Sequence, residues 1–262
     1  MPTQSLHEIR TVSGYKVYYY DEVPSTNDVA KEIAKRTQEQ NTVIIAESQT
    51  HGRGRQGRHW VSPRGGIWLS ILLRPRVTPE EATKLTFITA TAVAGTIQST
   101  LGLATEVKWP NDVLVNRKKL CGILTEASTR GNIVECVVVG IGINANIDLQ
   151  SFPNNLQKSV TTLKHELGCE INRETLTMNL IQSFDQRYKH LQKGMWSALL
   201  QEWRGLARFL SGKVVVTSFA ETLVGEALDV DADGALIVRL QNGALRRMVA
   251  GDVKLVALST SG

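Results

Sequence analysis

Residues 105–143 read TEVKWPNDVLVNRKKLCGILTEASTRGNIVECVVVGIGI. Four β-rich pieces share this stretch: Thr105–Trp109, Val113–Asn116, Leu120–Glu126 and Ile133–Ile143. Their tight spacing predicts hairpins, and hence an α+β fold rather than strict β-α-β alternation. Upstream, Val43–Ala46 and Ile67–Leu73 read as strands. Ser25-Thr26-Asn27-Asp28 offers N-cap chemistry to a helix through Val29, Ala30, Ile33 and Ala34. Thr78-Pro79-Glu80-Glu81 predicts a second helix start, with a cap, a proline and first-turn acids, ending near Gly102. Two further helices are predicted over Asn172–Gly194 and Trp196–Leu206.

The texture changes near Phe209. Lys213–Phe219, Leu223–Asp231, Ala235–Leu240, Leu245–Val249 and Val253–Leu258 are five short strand candidates, with Asp233-Gly234 and Asn242-Gly243 as turn signals. This pattern predicts a small barrel. The domains are therefore expected at 1–208 and 209–262.

The 262 residues carry 30 Lys and Arg against 25 Asp and Glu. From residue 209 on there are five basic and six acidic residues, so the positive excess lies in the first 208. Composition is ordinary for a globular chain and excludes collagen and low-complexity scaffolds. Three cysteines, Cys121, Cys136 and Cys169, form no CxxC pair. That sparse, odd count predicts free buried thiols in a reducing cytoplasm and argues against structural zinc. MPTQSLHEIR at the N-terminus lacks the apolar core of a signal peptide. Leu85–Thr105 is uncharged, but its Thr, Ser and Gln content predicts a buried helix rather than a membrane span.

Gly52-Arg53-Gly54-Arg55-Gln56-Gly57-Arg58 alternates guanidinium forks with exposed backbone amides. Such a loop can wrap an anion, and its glycines predict that it orders only on a ligand. A solvated basic loop and a nucleic-acid-contacting Arg-Gly segment are the competing readings. Gly52, Gly54 and Gly57 also spell GxGxxG, but Pro63 and two glycines break any helix after it, and Arg74 and Arg76 stand where a ribose-binding acid would be needed. Gly140-Ile141-Gly142-Ile143-Asn144-Ala145 is a second GxGxxA with a poor helix start behind it, and reads as a strand end with close backbone approach. Lys108-Trp109-Pro110-Asn111-Asp112 gathers a cation, an amide and a carboxylate on one turn. Lys119 borders an apolar strand, from which its side chain can point inward. No Ser-His-Asp order, HExxH or Walker lysine stands out.

Together these segments resemble the biotin protein ligases. GRGRQGR (52–58), KWPND (108–112), KKLCGIL (118–124), GIGIN (140–144) and STN (25–27) match in order and spacing. Gly225, Asp233-Gly234-Ala235-Leu236 and Gly251-Asp252 fit the family's C-terminal cap. Gln56 fills the loop motif's open position, and Cys121 stands where a small residue is expected. The resemblance implies a class II aminoacyl-tRNA synthetase-like catalytic domain with a mixed sheet, then an SH3-like barrel. It implies the short form, without an N-terminal DNA-binding module.

The implied activity is that of a carbon–nitrogen bond-forming ligase. Biotin and ATP give biotinyl-5′-adenylate, and the biotinyl group passes to a lysine of a carboxyl carrier protein, such as that of acetyl-CoA carboxylase. Both reacting groups are anions. At about 3.3 Å and an effective dielectric of about 20 they repel by roughly 5 kcal/mol per charge pair, so cations are needed at the point of attack.

By the same resemblance Lys119, Arg55 and Asp112 are catalytic, with Asp112 orienting or deprotonating the incoming lysine. Biotin is expected on Ser25, Thr26, Asn27, Gln49, Gly52, Arg53, Gly54, Arg55, Lys119 and Gly122. ATP or the adenylate is expected on Arg53, Arg55, Trp60, Lys108, Asn111, Lys119, Asn144 and Ala145, with Trp60 stacking on adenine. Magnesium is expected on the ATP phosphates, not in a protein cage. The edges of the catalytic sheet leave a homodimer open, which the sequence does not decide; DNA and membrane partners are not expected. A lipoyl or octanoyl ligase on the same fold, and a non-catalytic nucleic-acid binder, are the alternatives.

Overall fold

The computed structural model describes residues 6–131 and 133–256. An eight-stranded mixed sheet forms the larger part, in the order β1-β2-β3-β4-β8-β7-β6-β5. Its strands are β1 (Leu6–Val12), β2 (Tyr15–Val23), β3 (Thr42–Gln49), β4 (Ile67–Leu73), β5 (Glu106–Lys108), β6 (Asp112–Val115), β7 (Lys118–Arg130) and β8 (Ile133–Ile143). Among these strands only β2 and β3 pair in parallel, and helix α1 (Thr26–Arg36) connects them.

Both faces of the sheet are covered, which explains why β4 is buried along its whole length. The strand alternates side chains between faces. Ile67, Leu69, Ile71 and Leu73 face the main core, shared with α2 (Lys84–Leu101), α5 (Arg173–Gln192) and α6 (Trp196–Leu206). Leu72 faces a smaller cluster formed with Val29 and Ala30 of α1. Two short helices, α3 (Asn154–Gln157) and α4 (Leu163–Leu167), follow β8. No helix among the described residues is long and apolar enough to cross a membrane.

The grouped strands of residues 105–143 do form antiparallel hairpins. The Thr78 start differs in detail. Thr78 and Glu81 exchange side chain-to-backbone hydrogen bonds of 3.1 and 3.3 Å, but these close a 3₁₀ turn over Glu81–Thr83, and the α-helix begins at Lys84. Gly102 ends it in the left-handed conformation. The hairpin β1–β2 has no counterpart in the sequence reading. Its turn, Ser13-Gly14, has both residues at positive φ, the two-residue geometry that matches strand twist.

The C-terminal unit is a five-stranded antiparallel sheet in the order β12-β11-β10-β9-β13. Its strands are β9 (Lys213–Thr217), β10 (Thr222–Val230), β11 (Leu236–Leu240), β12 (Leu245–Met248) and β13 (Asp252–Leu255). The five predicted strands are present; the end foreseen for the last, residues 257–258, lies outside the described residues, as do residues 1–5 of the N-terminal stretch. Cys121 and Cys136 are buried and free, but Cys169 is exposed. It follows the left-handed Gly168 that ends α4, outside any strand, which corrects the expectation of buried thiols throughout.

Candidate active site

A cleft of about 430 Å³ opens on the sheet between α1, the Arg-Gly loop, the KWPND turn and β13. Its floor is glycine-rich for a steric reason. A Cβ on Gly140 would lie 2.3 Å from Asn27 Oδ1, and one on Gly142 would lie 2.4 Å from Trp60 Nε1. On Gly122 a Cβ would meet Trp60 and Lys119 at 3.1 and 3.2 Å. The GIGIN segment is thus a strand whose bare backbone admits side chains from elsewhere, in agreement with the close-approach reading.

One end of the cleft is neutral and polar. Ser25, Thr26 and Asn27 enter from the start of α1 and are buried. Gln49 Oε1 accepts from Thr26 N at 2.9 Å and Thr26 Oγ1 at 3.1 Å, while its Nε2 donates to Ser62 Oγ at 2.9 Å. Asn27 Nδ2 donates to Glu126 Oε2 at 2.7 Å, and Asn27 Oδ1 lies 2.5 Å from Ser70 Oγ. These contacts fix which way both amides point. Gly140→Ala is expected to displace this fixed Asn27 and weaken by about tenfold the binding of the ligand that the sequence resemblance implies, since overpacking a filled site costs about 1–3 kcal/mol. Calorimetric titration with that ligand checks this.

The middle of the cleft is cationic. Lys119 Nζ lies 2.6 Å from Asp112 Oδ1, an ionic contact rather than an aligned hydrogen bond, and Lys108 Nζ lies 3.0 Å from Oδ2. The β6–β7 register shifts between Val113 and Leu114, whose partners are Cys121 and Lys119, so Leu120 is the extra residue. Such a bulge re-aims neighbouring side chains, and here Lys119 lines the cleft. Its ammonium also sits 5.1 Å from the centroid of the Trp60 ring. Burial alone would raise the Asp112 carboxyl, but the ammonium groups of Lys119 and Lys108 hold it below its ordinary value. A carboxylate held this way is a poor proton acceptor. Asp112 thus bridges the two lysine ammonium groups at the centre of the cleft.

The remaining end is built by the KWPND turn and the C-terminal sheet. Trp109 is buried and donates from Nε1 to Gly234 O at 2.9 Å. Asn111 donates to Ile123 O at 2.7 Å and accepts from Arg55 Nη1 at 3.3 Å. Arg55 also donates to Gly251 O at 3.1 Å and lies 3.6 Å from Asp252. Arg58 pairs with the same carboxylate.

The loop itself folds as a closed hairpin. Arg53 and His59 form an antiparallel bridge, and Gly54 N donates to Arg58 O at 2.7 Å. Gln56 and Gly57 turn the chain at positive φ.

Of the predicted site residues, Ser25, Thr26, Asn27, Gln49, Arg53, Gly54, Arg55, Trp60, Lys108, Asn111, Asp112, Lys119 and Gly122 line this one cleft. Gly52, Asn144 and Ala145 do not. Gly52 lies beside Ser62 and the Trp60 carbonyl, with no room for a side chain. Asn144 is a buried brace: its N–H donates to Leu120 O at the bulge, and its Nδ2 donates to Thr161 O, both at 3.0 Å. Ala145 is fully buried beside it. Ser62, Ser70, Glu126 and Asp28 were missed, because their importance lies in the partners they orient. Among the described residues no three His, Cys, Asp or Glu side chains gather as a metal cage.

The comparisons agree with this geometry. Residues 19–144 match the model of the biotin/lipoate A/B protein ligase family, and residues 212–256 that of the biotin protein ligase C terminal domain. The chain is 34% identical over 245 residues to the bifunctional ligase/repressor BirA of Bacillus spizizenii, covering 93% of this chain and 75% of that one. It is 31% identical to the biotin–[acetyl-CoA-carboxylase] ligase of Paracoccus denitrificans, covering 75% and 83%. In fold it is similar to the biotin protein ligase of Aquifex aeolicus solved with biotin and ATP, with a TM-score of 0.78, 23% identity and coverage of 92% and 98%.

Proposed function

This chain belongs to the biotin/lipoate A/B protein ligase family, and from that premise we propose that it is a biotin protein ligase. The observation that carries the reading is one cleft with a neutral amide and hydroxyl cluster at one end and cations at its centre. A ureido group needs both donors and acceptors, which Ser25, Thr26, Asn27 and Gln49 supply.

The carboxylate of biotin attacks the α-phosphorus of ATP. A phosphorus–oxygen bond forms, the bond to the β-phosphate oxygen breaks, and pyrophosphate leaves. Lys119 offsets the repulsion between the two anions from the strand side. Arg55, held by only a few longer contacts, can turn from Gly251 and Asn111 toward phosphate. In the second step a carrier lysine amine attacks the acyl carbon, AMP leaves, and the amine gives up a proton to solvent. The hairpin loop shields the mixed anhydride from water meanwhile. We place the catalytic machinery in residues 1–208 and read 209–262 as a cap whose Asp252 and Val253 line the cleft.

Magnesium, when bound with ATP, neutralises charge on the departing pyrophosphate. Asp112 and Asp252 are already paired with cations, so the ion's ligands would be phosphate oxygens and water. The acceptor we propose is the carboxyl carrier domain of a biotin-dependent carboxylase. We place the enzyme in the cytoplasm, where its three free cysteines stay reduced.

Incubation with ATP and magnesium should release pyrophosphate on addition of biotin and not of lipoate. Release with lipoate alone would favour a lipoyl ligase on the same fold.

A further inference from the structure

Arg53 was expected to grip phosphate, but its guanidinium is turned to α1. Its Nη1 and Nη2 each lie 2.6 Å from one oxygen of Asp28, a bidentate pair, and Nη2 lies 3.9 Å from Glu126 Oε2. Glu126 Oε1 takes Lys31 of α1 at 2.5 Å, and Oε2 takes the Asn27 amide. Two acids therefore join three parts of the site: the start of the loop, the first turns of α1, and the amide at the neutral end of the cleft. Asp28 directly follows Asn27 in the chain, and Arg53 is bridged across the hairpin to His59. Tension on Arg53 thus acts on both limbs of the loop. Arg55 makes only contacts of 3.1–3.6 Å, so it is the arginine that can leave its partners at lower cost.

We propose that Asp28 and Glu126 are positioning residues that hold residues 52–58 closed over the cleft by clasping Arg53, which anchors the loop instead of binding phosphate. The proposal deepens the ligase reading and rests on it only for the identity of the ligand. The Arg53 guanidinium holds the Asp28 carboxyl below its ordinary value, so the clasp is ionised at neutral pH. Glu126 adds a second link. By orienting Asn27, it couples the closed loop to the part of the cleft that would receive biotin.

The test uses the full chain with Asp28→Asn, Arg53→Gln, the double variant, and the charge-swapped pair Asp28→Arg with Arg53→Asp. Trypsin cleavage after Arg55 and Arg58 is followed without ligand, and KM for biotin and for ATP is measured separately. Losing a half-exposed charge-assisted pair is expected to raise both loop cleavage and biotin KM by about three- to tenfold. For Asp28→Asn, ATP KM and kcat are expected to stay within about twofold. The double variant is expected to be no worse than either single one, and the swapped pair to recover part of the loss.

If Asp28→Asn changed neither cleavage nor biotin KM while Arg53→Gln raised ATP KM, the clasp would be overturned and Arg53 would be a phosphate ligand. If the parent chain did not turn over biotin, the ligase reading would fail. Loop cleavage in the variants would still decide the clasp.

Discussion

Lys119→Gln is expected to slow biotin-dependent pyrophosphate release by about 10²–10³-fold, the loss typical of removing one preorganised donor to developing charge. Lys119 reaches the cleft from a bulge whose backbone is pinned on both sides. Its N–H donates to Ser159 O and its carbonyl accepts from Thr161 N, each at 2.9 Å. A cation fixed this way pays little reorganisation when charge builds up at the α-phosphate. Glutamine keeps the stem and a polar head but removes the charge. Asp112 retains Lys108 as a partner, so the variant should stay folded and lose about 1–3 kcal/mol of stability. Single-turnover adenylate formation, with a thermal melt alongside, separates the two effects. A rate within about threefold of the parent would contradict the role given to Lys119.

Trp109→Ala is expected to have the largest effect on stability. The side chain is 1% exposed within the main core, and its indole N–H meets the Gly234 carbonyl of the C-terminal unit. Truncation leaves a cavity, and replacing a buried Phe or Trp by Ala costs about 3–5 kcal/mol. Trp109→Phe keeps most of the packing and loses the hydrogen bond, for about 1–2 kcal/mol. Because Asn111 and Asp112 ride on the same turn, the Ala variant should also raise KM for ATP. Urea titration reads the first effect and initial rates the second. An unchanged midpoint in the Ala variant would show that the turn does not depend on this contact.

Much of the fold was legible because both periodicities are strong. The run Ile67–Leu73 is buried at every position, as suits a central strand of a sheet covered on both faces, and the close spacing of the strand candidates in residues 105–143 marks their hairpins. The first hairpin escaped notice because β1 is an edge strand: Arg10 and Thr11 make it polar, and its Ile9 is half exposed. The turn Ser13-Gly14 was the available signal.

The site was legible as residue types and not as partnerships. Arg53, Arg55 and Arg58 look alike in the sequence, yet one is anchored to α1 and the other two reach Asp252. Asp112 reads as a lone carboxylate on a turn, and its two lysine partners come from positions four and seven residues away. Asn144 carries a motif position, and its side-chain amide braces the distant Thr161 carbonyl. Long-range pairing of this kind has no local signature, because it depends on where the sheet order brings distant segments together.

The most direct test of the ligase reading is transfer itself. The protein, biotin, ATP, magnesium and a purified biotin carboxyl carrier domain would be combined, and the carrier probed with streptavidin. The expected result is ATP-dependent labelling of the carrier that excess lipoate does not suppress and that Lys119→Gln nearly abolishes. No labelling, together with no pyrophosphate released from biotin and ATP, would contradict the account and return the Arg-Gly loop to nucleic-acid binding.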